Sequence, residues 1–194
     1  FMQGVIANKE KDILTWLKKF DKEQFIVAIE HTGHYGALLT WLLEDHQFTY
    51  YLINPLDLQR SLGLQRGKSD SVDAYRIADY IITNHHKLSP FKLPSEELRR
   101  LKALMTARER YVKMSVQIQN SLKAEIILNE KVALKQLIKL EQKQLISIKK
   151  AIQDLDKQMI EIVKANHELN ATYTNISSVI GVGVVTSLKC IIET

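Results

Sequence analysis

The sequence predicts an α/β head followed by an all-helical body, and three observations carry that reading. Two short runs rich in β-branched and aromatic residues, Phe25–Ile29 and Phe48–Ile53, alternate with helical patterns. Beyond the loop that ends at Pro94, no strand signal recurs for some seventy residues. Within that stretch Leu145, Ile148, Ile152, Leu155, Met159, Ile162, Asn166 and Leu169 repeat at spacings of three and four, which is the seam of a coiled coil.

Taken in order, Asp12–Phe20 sets Ile13, Leu14, Trp16, Leu17 and Phe20 on one face of an amphipathic helix. The unbroken run FIVAI at 25–29 predicts a strand buried on both faces. His31-Thr32-Gly33 makes a turn, and His34–Asp45 carries Leu38, Leu39, Trp41, Leu42 and Leu43 at helical spacing. Phe48–Ile53 is a second buried strand, closed by Asn54-Pro55. Helix, strand, helix, strand places the two strands side by side and parallel, joined by a helical crossover. Helical patterns follow at 56–64 and 72–83, separated by a polar loop at 65–69, and the loop 89–94 ends the head.

In the body, Leu98, Leu101, Met105, Val112, Leu122 and Ile126 lie near one seam. A bend near Asn129-Glu130 folds the second long helix back antiparallel; parallel pairing with another copy is the alternative and makes a homo-oligomer. The segment Ile176–Thr186 holds Gly181 and Gly183 in a Gly-x-Gly turn between helical patterns. It reads as a plain tight turn or as the hairpin of a helix-hairpin-helix module, whose amides hold a phosphate. The expected domains are 1–94, 95–170 and 171–194.

Composition narrows the function classes. Hydrophobic residues at 45% and charged residues at 25% exclude a wholly disordered chain. The one cysteine, Cys190, cannot form an internal disulfide, which fits a reduced, cytoplasmic location. Leu169–Leu188 carries no charge, yet its Asn, Ser and Thr residues argue against a membrane span. Positive charge is concentrated in the middle: residues 1–58 hold 5 basic and 8 acidic residues, 59–123 hold 13 and 6, and 124–194 hold 9 and 8. The band Arg60, Arg66, Lys68, Arg76, Arg99, Arg100, Arg108 and Arg110 suits a polyanion such as nucleic acid. A solvated helix face is the plainer reading of the same charges.

Three acids stand out by position. Glu30 follows directly on the first strand, at its carboxyl end, where open α/β sheets place their sites. Asp70 and Asp73 lie three apart at the start of a helix and so share a face near the positive end of its dipole. Asp70 also reads as a helix cap. Carboxylates from different elements are what a hard cation such as Mg²⁺ requires, and paired ions of this kind serve phosphoryl transfer. His31 and His34 have the spacing of a zinc pair but no further Cys or His to complete it.

Together these blocks acquire a likeness. Ile29–Tyr35 (IEHTGHY), Asn54-Pro55 and Lys68–Ala74 (KSDSVDA) resemble the Glu-x-Thr-Gly-x-Tyr, Asn-Pro and Lys-Thr-Asp-x-x-Asp-Ala blocks of the DEDD transposases of bacterial insertion-sequence family 110, which include the related pilin-gene invertases. VIGVGVVTSL at 179–188 is similar to the Pro-Gly-Ile-Gly block of that family's second conserved region. The resemblance implies a ribonuclease-H-like head similar to Holliday-junction resolvases, followed by a coiled-coil hairpin and the start of a helix-hairpin-helix C-terminal domain. It also implies DNA transposition or site-specific recombination, Mg²⁺ held by four acids, DNA as partner, and in some members a guide RNA. Glu30, Asp70 and Asp73 match the second, third and fourth acids. No residue before Phe25 matches the first, since Asp12 and Asp21 lie in or beside a helical pattern. The family's Ser nucleophile is not carried over to Ser177, Ser178 or Ser187, which belong to the hairpin block. With a start at Phe1 rather than Met and no match to the first strand, the chain is expected to be an inactive fragment that binds nucleic acid. Two other readings compete: a coiled-coil interaction module without catalysis, and a ribonuclease-H-like nuclease working with three acids.

Overall fold

A computed structural model describes residues 4–31, 33–62 and 70–193 and divides the chain into two compact units, Phe1–Leu93 and Pro94–Thr194. The described residues are mostly helical, with a two-stranded parallel sheet in the first unit and two long helices in the second.

The first unit runs α1 (Glu10–Leu17), β1 (Ile26–Glu30), α2 (Ala37–Asp45), β2 (Thr49–Ile53), α3 (Pro55–Leu62) and α4 (Asp70–Asn84). β1 and β2 pair in parallel, Ile26 opposite Thr49 and Glu30 opposite Ile53, with α2 as the crossover. Between β1 and α2 a 3₁₀ turn, Gly33–Gly36, opens on Gly33 at φ 65°, a left-handed conformation that glycine adopts without a Cβ clash. Strand alternation divides the core. Tyr50, Val27 and Ile29 pack with Ile13, Leu17, Leu42 and Leu43 of α1 and α2, whereas Tyr51, Ile53 and Ala28 pack with Leu58 and Ile81 of α3 and α4. The sheet is thus sandwiched between two helical layers. β1 departs from the expectation of burial on both faces: Phe25 and Ile26 are 47% and 48% exposed. The helices cover its faces, but β2 is its one hydrogen-bonded neighbour among the described residues, so its outer edge is uncovered.

The second unit holds α5 (Glu96–Leu128), α6 (Lys135–Ala165), α7 (His167–Ser177) and α8 (Val184–Glu193). Ser95 caps α5, its Oγ accepting from the Leu98 amide at 3.3 Å. At the bend, Asn129 Oδ1 accepts from the Leu134 amide at 2.9 Å. Cross-helix pairs Arg108–Asp156 and Ser121–Glu141 run in opposite numerical order, so α5 and α6 are antiparallel. The seam residues Met159 and Ile162 are buried, and Leu145, Ile152 and Leu155 are half-buried. The regular spacing reaches Leu169, but the helix does not. Asn166 leaves the helical region (φ −108°, ψ 121°), and its Oδ1 accepts from the amides of Glu168 and Leu169, so a cap starts α7 where periodicity alone predicts continuity. Residues beyond 170 share the body's core: Leu188 and Ile191 of α8 pack with Leu101 and Met105 of α5 and with Met159, Ile162 and Val163 of α6. No helix among the described residues is long and apolar enough to cross a membrane.

Candidate functional site

A cavity of about 500 Å³ lies beside β1 in the first unit. Four consecutive strand residues, Val27 to Glu30, line it. Because successive side chains point to opposite faces, a void touching all four runs along the edge of the strand. The remaining wall comes from the first turns of α4 with Asp70, Asp73 and Ile77, from Trp16 of α1, from Tyr35 and Leu39, and from Asn8. The packing of α4 on β1 places the amino end of α4 beside the carboxyl end of the strand.

All three carboxylates predicted from the sequence therefore line one cavity, although forty residues separate Glu30 from Asp70. Glu30 is half-buried at the end of β1, and Asp70 is exposed at the first position of α4. One turn on, Asp73 Oδ1 accepts from Arg76 Nη1 at 3.0 Å. Both aspartates sit where the helix dipole favours negative charge. The donor set, all oxygen, fits a hard divalent cation by its chemistry. Its spacing is not that of a ligand cage: among the described residues no three His, Cys, Asp or Glu side chains gather closely enough to hold a metal ion.

The basic residues divide into two kinds. Arg60 on α3 and Arg99, Arg100 and Arg110 on α5 are exposed, and the Arg110 guanidinium lies 5.6 Å from the centre of the Tyr111 ring. Arg76 and Arg108 are engaged with acids: Arg76 holds Asp73, and Arg108 Nε donates to Asp156 Oδ1 at 2.6 Å in a half-buried pair that ties α5 to α6. Arg66 and Lys68 lie outside the described residues. In the turn between α7 and α8, Gly181 has φ 90° and Gly183 directly precedes α8, with the Val182 amide donating to Val179 O at 3.0 Å. Nearby in the second unit, Lys189 pairs with Glu109 and holds its carboxyl below the usual range.

Sequence reasoning passed over Tyr35, Asn8 and Trp16 as cavity residues. Tyr35 was legible as the end of the IEHTGHY block, an aromatic set in a polar turn. Asn8 carries no local signal, because its role is tertiary: its Nδ2 donates to Tyr35 O at 3.0 Å across 27 residues.

None of the curated proteins matches the chain significantly. A protein-family model described as a transposase matches residues 2–132, a span that includes β1, the Asn-Pro turn and α4. The match covers well over half of the 194 residues, and the chain belongs to the DEDD transposase family of insertion sequence 110.

Proposed function

We propose that the chain binds DNA in the course of transposition or site-specific recombination in the cytoplasm, and that Glu30, Asp70 and Asp73 are its share of an Mg²⁺-dependent phosphoryl-transfer site in a ribonuclease-H-like head. The observation that supports this reading is that these three acids, from two elements, line a single cavity. Bound Mg²⁺ would supply Lewis-acid polarisation of the phosphoryl oxygens and a water of lowered pKa. The three carboxylates would hold the cation only after drawing together from their present spacing, with Asp73 giving up its contact with Arg76. Arg60, Arg99, Arg100 and Arg110 would neutralise backbone phosphates, and the amides around Gly181 and Gly183 would hold another. A structured guide RNA would engage the same basic groups. The exposed apolar residues Ile126, Ile127, Leu137 and Leu140 on the body's long helices would be covered by a second copy. The resemblance asks for four acids and the sequence supplies matches for three, so the 194 residues are expected to bind without cutting.

Fluorescence anisotropy with a labelled DNA duplex tests this. Affinity is expected to fall at least tenfold between about 50 and 200 mM salt, because phosphate contacts release counterions. Charge reversal of Arg99 and Arg100 lowers it, whereas Asp70→Ala and Asp73→Ala leave it unchanged or slightly higher, each removing a negative charge that faces phosphate. Binding that ignores salt, or no binding, overturns the proposal. Mg²⁺-dependent strand cleavage abolished by Asp73→Ala would favour the nuclease reading instead.

A further inference from the structure

We infer that the outer edge of β1 is a docking site for a partner polypeptide, which adds one extended strand to the sheet there. β1 has the sequence of a strand with neighbours on both sides. Phe25 to Ile29 are apolar without a break, and the devices that guard an open edge, a charge, a proline or a bulge, do not occur among them. Yet no residue of β1 is buried, whereas Tyr50, Tyr51 and Ile53 of β2 are 1%, 9% and 2% exposed. The main chain repeats the contrast. The His31 amide donates to Ile53 O at 3.0 Å, and alternate residues of a strand face the same side, so Val27 and Ile29 also turn their amides and carbonyls to β2. Ile26, Ala28 and Glu30 turn theirs outward, where no strand pairs with them among the described residues.

What covers the edge follows from its surroundings. α1 and α4 lie on opposite faces of the sheet, and both reach past β1: Ile13 and Trp16 from one and Ala74 and Ile77 from the other line the cavity of about 500 Å³ together with the strand. A second cavity, of about 220 Å³, touches Phe25 to Ala28, so the two follow β1 from end to end. An edge recessed between two helices admits a single strand, continuous with the β1–β2 ladder, and main-chain hydrogen bonds hold it there. It excludes the sheet of a second copy, whose own β1 is recessed in the same way. Apolar walls on both sides call for apolar side chains on both faces of the incoming strand. Charge lines these cavities only at the Glu30 end, where Asp70 and Asp73 join Glu30 and Arg76 engages Asp73, so a lysine is favoured at that end of the peptide.

The test uses the whole 194-residue chain without DNA or Mg²⁺, so it does not depend on the proposed function. The probes are a set of fluorescein-labelled peptides, each with about six residues of Val, Ile, Thr and Ala in varied order, the usual length of a strand, flanked by lysines. Binding is read by anisotropy and by hydrogen exchange at single amides. A bound peptide is expected to slow exchange of the Ile26, Ala28 and Glu30 amides at least about tenfold and to leave the paired amides of Val27 and Ile29 nearly as they were. N-methylation of alternate peptide amides is expected to weaken binding about tenfold or more in the frame that faces β1, and far less in the other frame. This arm needs no variant of the protein, so misfolding cannot imitate its result. No binding by any peptide of the set, or equal weakening in both frames, overturns the inference. Protection of the three outward amides in the free chain overturns it as well: independent of concentration, it shows that the chain covers its own edge, and rising with concentration, that a second copy does. Salt-sensitive binding of DNA in any of these cases leaves the proposed function standing, and this inference alone fails.

Discussion

Gln47 shows how a single residue can oppose the motif it occupies. α2 ends with the Gln47 amide donating to Glu44 O and the Phe48 amide to Leu43 O, the two bonds of a Schellman motif, and Gln47 takes φ 60° to make them. That position suits glycine, and a Cβ there costs about 1–2 kcal/mol. The side chain recovers part of this by accepting from Lys22 Nζ at 2.9 Å on the exposed surface. Gln47→Gly is therefore expected to stabilise the first unit by about 0.5–1 kcal/mol, read as a higher urea midpoint. A lower midpoint would show that the Lys22 contact outweighs the backbone term. Context likewise separates the arginines. Exposed Arg99 and half-buried Arg108 look alike in the sequence, and Asp156, the partner that distinguishes Arg108, lies 48 residues away.

At the scale of elements, the antiparallel pair α5–α6 carries an unresolved polar layer. Ser121 Oγ lies 3.1 Å from Glu125 Oε1 and 3.3 Å from Glu141 Oε1, and one hydroxyl proton serves only one of them. The second oxygens, Glu125 Oε2 and Glu141 Oε2, are buried with no hydrogen-bond partner. A buried unsatisfied acceptor costs about 1–3 kcal/mol, so Glu141→Leu is expected to raise the melting temperature of the second unit. A fall would show that the layer stabilises the pairing in a way the apolar side chain cannot replace. The same pair of helices shows what the sequence made legible. Spacings of three and four located the seam, since only one face of each helix is apolar. The stop at Asn166 was hidden because that residue satisfies the repeat and the cap at once. In the head, Phe25–Ile29 announced a strand, but its exposed edge depends on which neighbours it finds, and no local pattern encodes that. The acids were legible because each stands at the end of an element. Asn8 was not, because its role arises only when distant segments meet.

The molecule as a whole consists of two units with separate cores, and one buried group should let alkali tell them apart. Tyr50 is 1% exposed in the core of the first unit, its Oη donating to Glu44 Oε2 at 2.9 Å. Burial first, and then the neighbouring Glu44 carboxylate, push its phenol well above the ordinary tyrosine value. In the unfolded chain the group ionises near pH ~10. The folded state therefore holds this proton more tightly, so its contribution to stability is complete below that pH and is lost as pH rises towards the folded value. Among the described residues of the second unit no tyrosine is fully buried, Tyr173 being only partly buried against its core. Above pH ~10, hydrogen exchange is expected to show protection disappearing from β1 and β2 while α5 and α6 retain theirs. Tyr50→Phe removes the ionisation and should extend the protection of the first unit to higher pH, although at neutral pH it costs about 1 kcal/mol for the lost hydrogen bond. Simultaneous loss of protection in both units, or an alkaline transition unmoved in Tyr50→Phe, would refute Tyr50 as the group that sets the alkaline limit.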